Sequence, residues 1–236
     1  MNFGLLALAI GPSLAIAMYV YWRDKHEKEP LGLLVKCFLL GALTIIPIMI
    51  VEGLSTWLLE IDLSYSLNLP TALVTSFLLI GLTEEAFKYL VLTRYAYPKP
   101  DFNEPFDGIV YSVMISLGFA TVENILYVID GGVGVGILRM FTAVPMHAAC
   151  GVIMGYSVGM AKFQRTSRIR GLGYAMLFHR AYDFFLLQDI TPYMNFLIIP
   201  VMIYAIRLSR KAMREHLDAS PFKNQDLANL DRPEEK

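Results

Sequence analysis

The sequence predicts an all-α membrane protein, a polytopic helical bundle of about seven transmembrane helices. Of its 236 residues, 56% are hydrophobic and only 17% are charged, and the mean hydropathy is +0.50. A soluble globular domain carries about 25% charged residues, so this composition is too apolar for one. The apolar residues also lie in long stretches, and a helix needs roughly 20 of them to cross the hydrocarbon core.

Seven apolar stretches are long enough to span a bilayer as helices, and short polar connections separate them. The predicted spans are Phe3 to Trp22, Leu31 to Leu59, Thr71 to Leu92, Phe106 to Ile129, Ile137 to Ala161, Gly171 to Leu187, and Pro192 to Leu208.

Basic residues are distributed unevenly among these connections. Lys and Arg follow the first, third, fifth and seventh spans, whereas the alternate connections and the N-terminus lack them. Cytoplasmic loops carry an excess of Lys and Arg, so we expect the N-terminus outside and the C-terminus in the cytosol. Termini on opposite sides of the membrane require an odd number of spans, which agrees with the seven stretches. The membrane domain is predicted over residues 1–208, and the polar segment 209–236 is predicted to be a disordered cytosolic tail.

The third predicted span contains two adjacent carboxylates and a lysine, Glu84, Glu85 and Lys88. Each ionisable side chain at bilayer depth costs roughly 2.5 to 3.5 kcal/mol on insertion scales, so such residues indicate a functional site. Glu84 and Lys88 have the i,i+4 spacing of a helical ion pair, and Glu85 lies about 100° away around the helix. With Lys88 holding one carboxylate ionised, the two acids can divide into a base and an acid.

The fourth span carries Glu123 and Asn124 in its outer part and Asp107 at its inner start. An acid as deep as Glu123 needs a partner or a task, which predicts a functional role. Asp107 precedes Glu123 by about 24 Å of straight helix and is predicted to cap the helix N-terminus instead.

The fifth span contains His147, preceded by Pro145 and by Arg139 near the outer end. The proline is expected to kink the helix into the protein interior. Arg139 can either turn inward or extend to the membrane interface. After His147 come glycines at four-residue intervals, which predict a seam of close helix packing: Gly151, Gly155 and Gly159.

The sixth span places His179 and Asp183 one helical turn apart. A carboxylate in that position fixes the tautomer of the histidine and increases its basicity, whether the histidine acts as a base or as a metal ligand.

Depth in the membrane separates these candidates. By the helical rise, Glu84, Glu85 and His179 lie roughly 12 Å above the inner ends of their spans, and Glu123 and His147 lie about 20 to 25 Å above theirs. Straight helices would therefore form two tiers about 10 Å apart. A single catalytic centre requires tilt, a kink, or a later start of the fourth span.

The ordered motifs resemble those of the PrsW family of bacterial intramembrane proteases, which is related to the CAAX prenyl proteases and bacteriocin-immunity proteins. The resemblance rests on Glu84-Glu85-x-x-Lys88, Phe106-Asp107-Gly108-x-x-Tyr111, Gly118-Phe119-Ala120-x-x-Glu123-Asn124, His147 with Gly151 and Gly155, and His179-x-x-x-Asp183. It implies a multipass bacterial cell-membrane protease, whose relatives cut an anti-sigma factor during stress signalling. It also implies that the catalytic positions are Glu84, Glu85, Glu123, His147 and His179.

Two mechanisms of peptide hydrolysis remain open from the sequence. In the first, Glu85 or Glu84 is the general base on water and a histidine positions that water or protonates the leaving amine. Asn124 or an imidazolium would then stabilise the oxyanion. In the second, a divalent metal such as zinc is held by His147, His179 and Glu123, with one position open for water. Lys88, Asp183 and Arg139 are predicted to support either site.

Two other functions use the same residues. A proton-coupled transporter or channel would employ the buried acids and histidines as a relay, although no inverted repeat is evident. A catalytically silent scaffold would bind a single-span partner and tolerate loss of the glutamates. We expect the partners to be the lipid bilayer and a single-span membrane protein such as an anti-sigma factor, and not nucleic acid.

Overall fold

The computed structural model of the chain describes residues 3–60, 69–75, 81–164, 166–188 and 191–223, and its secondary-structure elements are helices. The α-helices are α1 (Phe3–Arg23), α2 (Leu31–Leu43), α3 (Ile45–Leu58), α4 (Leu69–Val74), α5 (Gly81–Val91), α6 (Pro105–Phe141), α7 (Ala143–Gln164), α8 (Ile169–Leu187) and α9 (Ile198–Asp218). A π-helical turn, Leu92–Ala96, continues α5, and a 3-10 helix, Pro192–Leu197, precedes α9.

Among the described residues, four helical stretches are long and apolar enough to cross a membrane: Phe3–Arg23, Leu31–Leu58, Pro105–Gln164 and Pro192–Asp218. The predicted all-helical membrane fold is confirmed at this level. The second predicted span is interrupted at Thr44, whose hydroxyl donates to the Gly41 carbonyl oxygen at 2.6 Å. Part of the third predicted span, residues 76–80, lies outside the described residues.

The chain reverses direction inside α6, at Gly132. This glycine has φ 68° and ψ −157°, a backbone conformation that residues with a Cβ rarely adopt. Beyond it, the Arg139 side chain returns to within 2.7 Å of Glu123. The two residues would lie about 24 Å apart on a continuous helix. Gly132 therefore falls in the predicted connection between the fourth and fifth spans.

The first part of α6 packs along α7 through the predicted glycine seam, which the structure confirms. A Cβ added at Gly108 would lie 2.6 Å from the Gly155 carbonyl oxygen and 2.7 Å from the Gly159 nitrogen. The two backbones can approach this closely only because glycine stands at these positions. The antiparallel contact fixes the height of every side chain that α6 and α7 present to each other, including Glu123 and His147.

Two connections that carry basic residues meet the last part of α9 at one end of the bundle. Lys162 of α7 donates to the Tyr97 carbonyl oxygen at 2.8 Å, and the Arg168 guanidinium lies 5.3 Å from the Tyr97 ring centroid. At the same end, a Cβ added at Gly159 would lie 3.0 Å from the His216 ring of α9. We call this the basic end.

The polar tail predicted from Ser209 is wrong in its first part. Helix α9 continues to Asp218 and buries Ser209, Met213 and Leu217. These residues lie on one face at helical spacing, so the segment packs on the bundle although its other face is charged. Residues 224–236 of the predicted tail lie outside the described residues.

Four buried carboxylates lie at the basic end, where the α1–α2 connection packs on the start of α6: Asp24, Glu29, Glu104 and Asp107. Asp107 accepts hydrogen bonds from the backbone N–H groups of Asn103 at 2.7 Å and Glu104 at 2.8 Å. Its predicted role as a helix cap is therefore confirmed. The pKa of Asp24 is raised to about 7, first by burial and then by Glu104 and Asp107.

We expect the stability of the protein to fall as pH rises from about 4 to about 7. Burial raises the pKa of both Asp24 and Glu104 to about 7, so the folded state holds protons there that the unfolded state has lost. Unfolding is then favoured as pH rises through this window and levels off above it. Lys28 and the Glu29 backbone oppose the shift at Asp24 without cancelling it.

Thermal unfolding in detergent between pH 5 and pH 8 measures this dependence. Asp24→Asn should flatten it, whereas Asp101→Asn, in the connection before α6, should leave it unchanged. An equally steep dependence in Asp24→Asn would contradict the assignment.

Candidate active site

Helix α5 presents the paired glutamates and Lys88 to the interior of the bundle. All three side chains are buried, and Glu85 has no exposed surface. Lys88 donates to Glu84 Oε2 at 3.1 Å, which confirms the predicted ion pair, and also to Glu85 Oε1 at 2.9 Å. Lys88 therefore pairs with both carboxylates, a second contact that the i,i+4 spacing alone does not predict. The i,i+3 spacing brings Glu85 within reach of the same ammonium.

Helix α8 brings His179 against both glutamates. Its Nδ1 lies 2.8 Å from Glu85 Oε1, and its Nε2 lies 3.8 Å from Glu84 Oε2. Asp183, one turn later on α8, lies 3.5 Å from the same Nε2, as its spacing predicted. Carboxylates thus surround both ring nitrogens, which holds the imidazole in one orientation.

Helix α7 supplies His147, which joins Lys88 to Glu123. The His147 Nδ1 lies 3.2 Å from the Lys88 ammonium, and its Nε2 lies 2.8 Å from Glu123 Oε2. An ammonium only donates hydrogen bonds, so Nδ1 accepts and Nε2 carries the hydrogen. His147 therefore donates to Glu123 and directs its Nδ1 lone pair toward the α5 glutamates.

Four of the predicted catalytic residues form one compact group: Glu84, Glu85, His147 and His179. One potential ligand atom from each lies within 4.8 Å of the others. The two rings pack edge to face with centroids 4.8 Å apart. Glu123 is not a member of this group but contacts it through His147.

The two tiers that straight helices would form are joined in one group. His147 Nδ1 lies 3.2 Å from the Lys88 ammonium of α5, and the His147 and His179 ring centroids lie 4.8 Å apart. The π-helical turn Leu92–Ala96 extends α5 beyond the predicted end of its span at Leu92, which places Glu84 farther from the basic end. This extension accounts for only part of the difference in depth, because α7 also ends later than predicted, at Gln164.

The kink predicted at Pro145 does not occur. Helix α7 begins at Ala143 and the proline lies in its first turn, where no backbone donor is lost. Of the two positions left open for Arg139, the structure has the inward one: the side chain is buried and donates to Glu123 Oε2 at 2.7 Å and to Asn124 Oδ1 at 3.0 Å.

Both the nitrogen and the oxygen of the Asn124 side-chain amide make hydrogen bonds within the bundle. Its Nδ2 donates to the Ala9 carbonyl oxygen of α1 at 2.8 Å, and its Oδ1 accepts from Arg139. The amide ties the first helix to α6, and we therefore no longer expect it to stabilise an oxyanion.

The chemistry of the compact group fits a divalent metal ion. Two imidazoles and two carboxylates are donors that zinc accepts, and hydrolytic zinc sites use three protein ligands with one position open. A cation already lies among the donors, since the Lys88 ammonium contacts three of the four residues. The predicted ligand set differs here, because Glu123 approaches His147 Nε2 from outside the group. That arrangement is typical of a carboxylate that orients a metal-binding histidine.

A cavity of about 430 Å³ opens onto the group. Glu84, His147 and His179 line one side of it, together with Glu123 and Asp183. Helix α3 lines the cavity with the apolar side chains of Ile45, Ile48 and Met49. A water molecule or peptide segment in this cavity would lie beside the same glutamate and histidines.

Sequence reasoning missed one acid in this cavity, Glu52 of α3. It lies in the second predicted span, and its side chain faces the same space as Glu84 and Asp183. Its Oε1 is buried and accepts no hydrogen bond from the described residues. The signal was present, because an acid inside an apolar span is costly wherever it occurs.

Comparison with known proteins identifies relatives over most of the chain. Residues 29–208 match the model of the PrsW family intramembrane metalloprotease. A Protease PrsW of Bacillus subtilis is 34% identical over 218 residues, which cover 89% of this chain and 96% of that protein. One from Halalkalibacterium halodurans is 36% identical over 205 residues, covering 85% and 91%. One from Clostridioides difficile is 32% identical over 213 residues, covering 86% and 87%. No solved structure matches the chain significantly.

Proposed function

The chain belongs to the PrsW family of intramembrane metalloproteases and is a multi-pass peptidase of the bacterial cell membrane, and we propose that Glu84, Glu85, His147 and His179 form its catalytic centre. One observation carries this proposal: residues from three helices converge on a buried group within 4.8 Å, beside a cavity. Of the functions that the sequence left open, a transporter or a silent scaffold has no comparable support.

Zinc is the metal that this donor set suits best, held by His147, His179 and a carboxylate of α5. When bound, such an ion supplies Lewis acidity to the hydrolytic water and to the scissile carbonyl group. Glu123 contacts the Nε2 atom of His147, and Asp183 contacts the Nε2 atom of His179, so each carboxylate orients one of the two imidazoles. Ligand geometry is then fixed before a substrate arrives.

Glu84 is the better placed of the two glutamates to act as general base. It lines the cavity, so a water molecule there can reach its carboxylate. Glu85 is enclosed, and its Oε1 already accepts from Lys88 and faces His179 Nδ1. We assign Glu85 the role of orienting Lys88 and His179. If no metal is bound, His179, which lines the cavity, is the histidine that can protonate the leaving amine.

The membrane topology that we propose has seven passes, with the N-terminus outside and the C-terminus in the cytosol. Support comes from the basic end, where the connections after α1, the π-helical turn and α7 meet the last turns of α9. All four segments carry Lys or Arg, as cytoplasmic segments do. The centre then lies inside the bilayer, toward the outer half of the bundle.

The substrate class that we propose is a single-span membrane protein, and an anti-sigma factor is the example that the family resemblance implies. The cavity is lined by apolar side chains, among them Ile45, Ile48 and Met49 of α3, as well as by acids and histidines. An apolar segment lying in the bilayer can enter such a space with little desolvation, and its peptide bond then meets the reactive groups.

Comparison of membrane proteomes tests the function. Cells that express Glu85→Gln should accumulate, at full length, a single-span protein that is truncated in wild-type cells. The variant must be present in the membrane at the wild-type level. If the same truncated products appear in both strains, Glu85 is not needed for proteolysis and the proposed centre is wrong.

A further inference from the structure

The Lys88 side chain reaches the middle of the proposed metal-binding group. Its ammonium lies 2.9 Å from Glu85 Oε1, 3.1 Å from Glu84 Oε2 and 3.2 Å from His147 Nδ1. The Phe119 ring closes one side, with its centroid 4.1 Å from the ammonium. Lys88 is 1% exposed, so no bulk water competes for these contacts.

The ammonium balances charge that would otherwise be unpaired. Glu84 and Glu85 are 4% and 0% exposed, and a buried carboxylate without a cation is strongly destabilising. Among the described residues, Lys88 is the basic residue that forms ion pairs with both glutamates. It therefore allows the helices to pack and the donors to stay together without any metal ion.

An ammonium and a metal ion cannot occupy this position together. A zinc ion lies about 2.0 to 2.2 Å from nitrogen and oxygen ligands, closer to the same atoms than the ammonium does. Both would contact His147 and a carboxylate of α5, and two cations a few ångströms apart in a buried site repel strongly. Metal can enter only when the Lys88 side chain withdraws.

We propose that Lys88 is a built-in occupant of the metal site: it preserves the arrangement of the donors in the metal-free protein and competes with the metal for them. This proposal rests on the metal-dependent function proposed above. Lys88 is then a positioning residue that lowers the apparent metal affinity, because only the fraction of molecules with the lysine withdrawn can bind. In the metal-free protein, the same ammonium neutralises Glu84 and Glu85 and so keeps the donors close together.

Zinc titration of the purified, metal-stripped full-length protein in detergent tests the proposal. Lys88→Met should bind zinc with a dissociation constant at least about tenfold lower than that of the wild-type protein. Its metal-free form should unfold at a lower temperature than the wild type, and saturating zinc should raise that temperature by more. Lys162→Met, which removes a lysine at the basic end, should match the wild type in zinc affinity.

The outcomes separate the two proposals. Equal zinc affinity in Lys88→Met and wild type overturns the role of Lys88 and leaves the metal-dependent function standing. No zinc binding by either protein overturns the metal site itself. If Lys88→Met does not fold, Lys88→Arg replaces it in the titration, because arginine keeps the positive charge. Zinc binding by Lys88→Arg that is equal to or weaker than wild-type binding supports the proposal, and tighter binding contradicts it.

Discussion

Glu84→Gln is expected to lower the rate of peptide cleavage by about 10²- to 10⁴-fold, the range that a positioned general base contributes. Glutamine has nearly the same shape, so α5 keeps its packing, but its amide cannot accept a proton from water. His179→Ala should be at least as severe, because it removes both a ligand candidate and the group beside Glu85 and Asp183. Cleavage of a quenched fluorescent reporter by purified protein in detergent measures both effects.

Glu123→Gln is expected to have a smaller effect than Glu84→Gln. Glu123 contacts the group only through His147 Nε2 and pairs with Arg139, so Glu123→Gln should reduce metal affinity or activity by about 10- to 100-fold. His216→Asn is the control, because this buried histidine stacks on Tyr156 at the basic end.

Cleavage at the wild-type rate by Glu84→Gln, with correct insertion, would rule out the role of Glu84 as the base.

Gly155→Leu is expected to prevent stable packing of α6 on α7. A Cβ at this position would lie 2.7 Å from the Ile109 Cα atom and would also meet the Gly108 carbonyl oxygen. These are backbone atoms, so no side chain can rotate away, and the helices must separate. We expect a loss of about 3 kcal/mol or more, at or above the usual cost of overpacking. Thermal unfolding and the amount of protein recovered from membranes measure it.

Gly11→Leu is the control for this substitution. A Cβ added at Gly11 of α1 has no heavy atom within 4 Å, so the leucine meets open space. It should leave the unfolding temperature unchanged or raise it slightly, because leucine favours a helix over glycine by about 1 kcal/mol or less. If the two variants have the same stability, the close contact between α6 and α7 does not exist.

The sequence identifies the residues of the candidate site better than it predicts their arrangement. The intramembrane acids and histidines were found because charge in an apolar span is costly, and the seam of Gly151, Gly155 and Gly159 was found from its spacing. Their arrangement was predicted less well. The spacing pairs Lys88 with Glu84 and does not show that Glu85 shares the ammonium, and the kink predicted at Pro145 does not occur. Glu52 escapes sequence reasoning because no ionisable residue lies one helical turn from it in either direction.

The sequence by itself determined that this is an all-α membrane protein and which ionisable side chains lie within its apolar spans, since hydropathy and helical period are local properties. Only the tertiary structure decided where those side chains meet. Lys88 contacts His147 across 59 positions of sequence, and His179 contacts Glu85 across 94. Such contacts depend on the reversal at Gly132, the extra π-helical turn after α5 and the depth set by the glycine seam. Each of these shifts a whole helix relative to its neighbours, and no periodicity within one helix can specify that displacement.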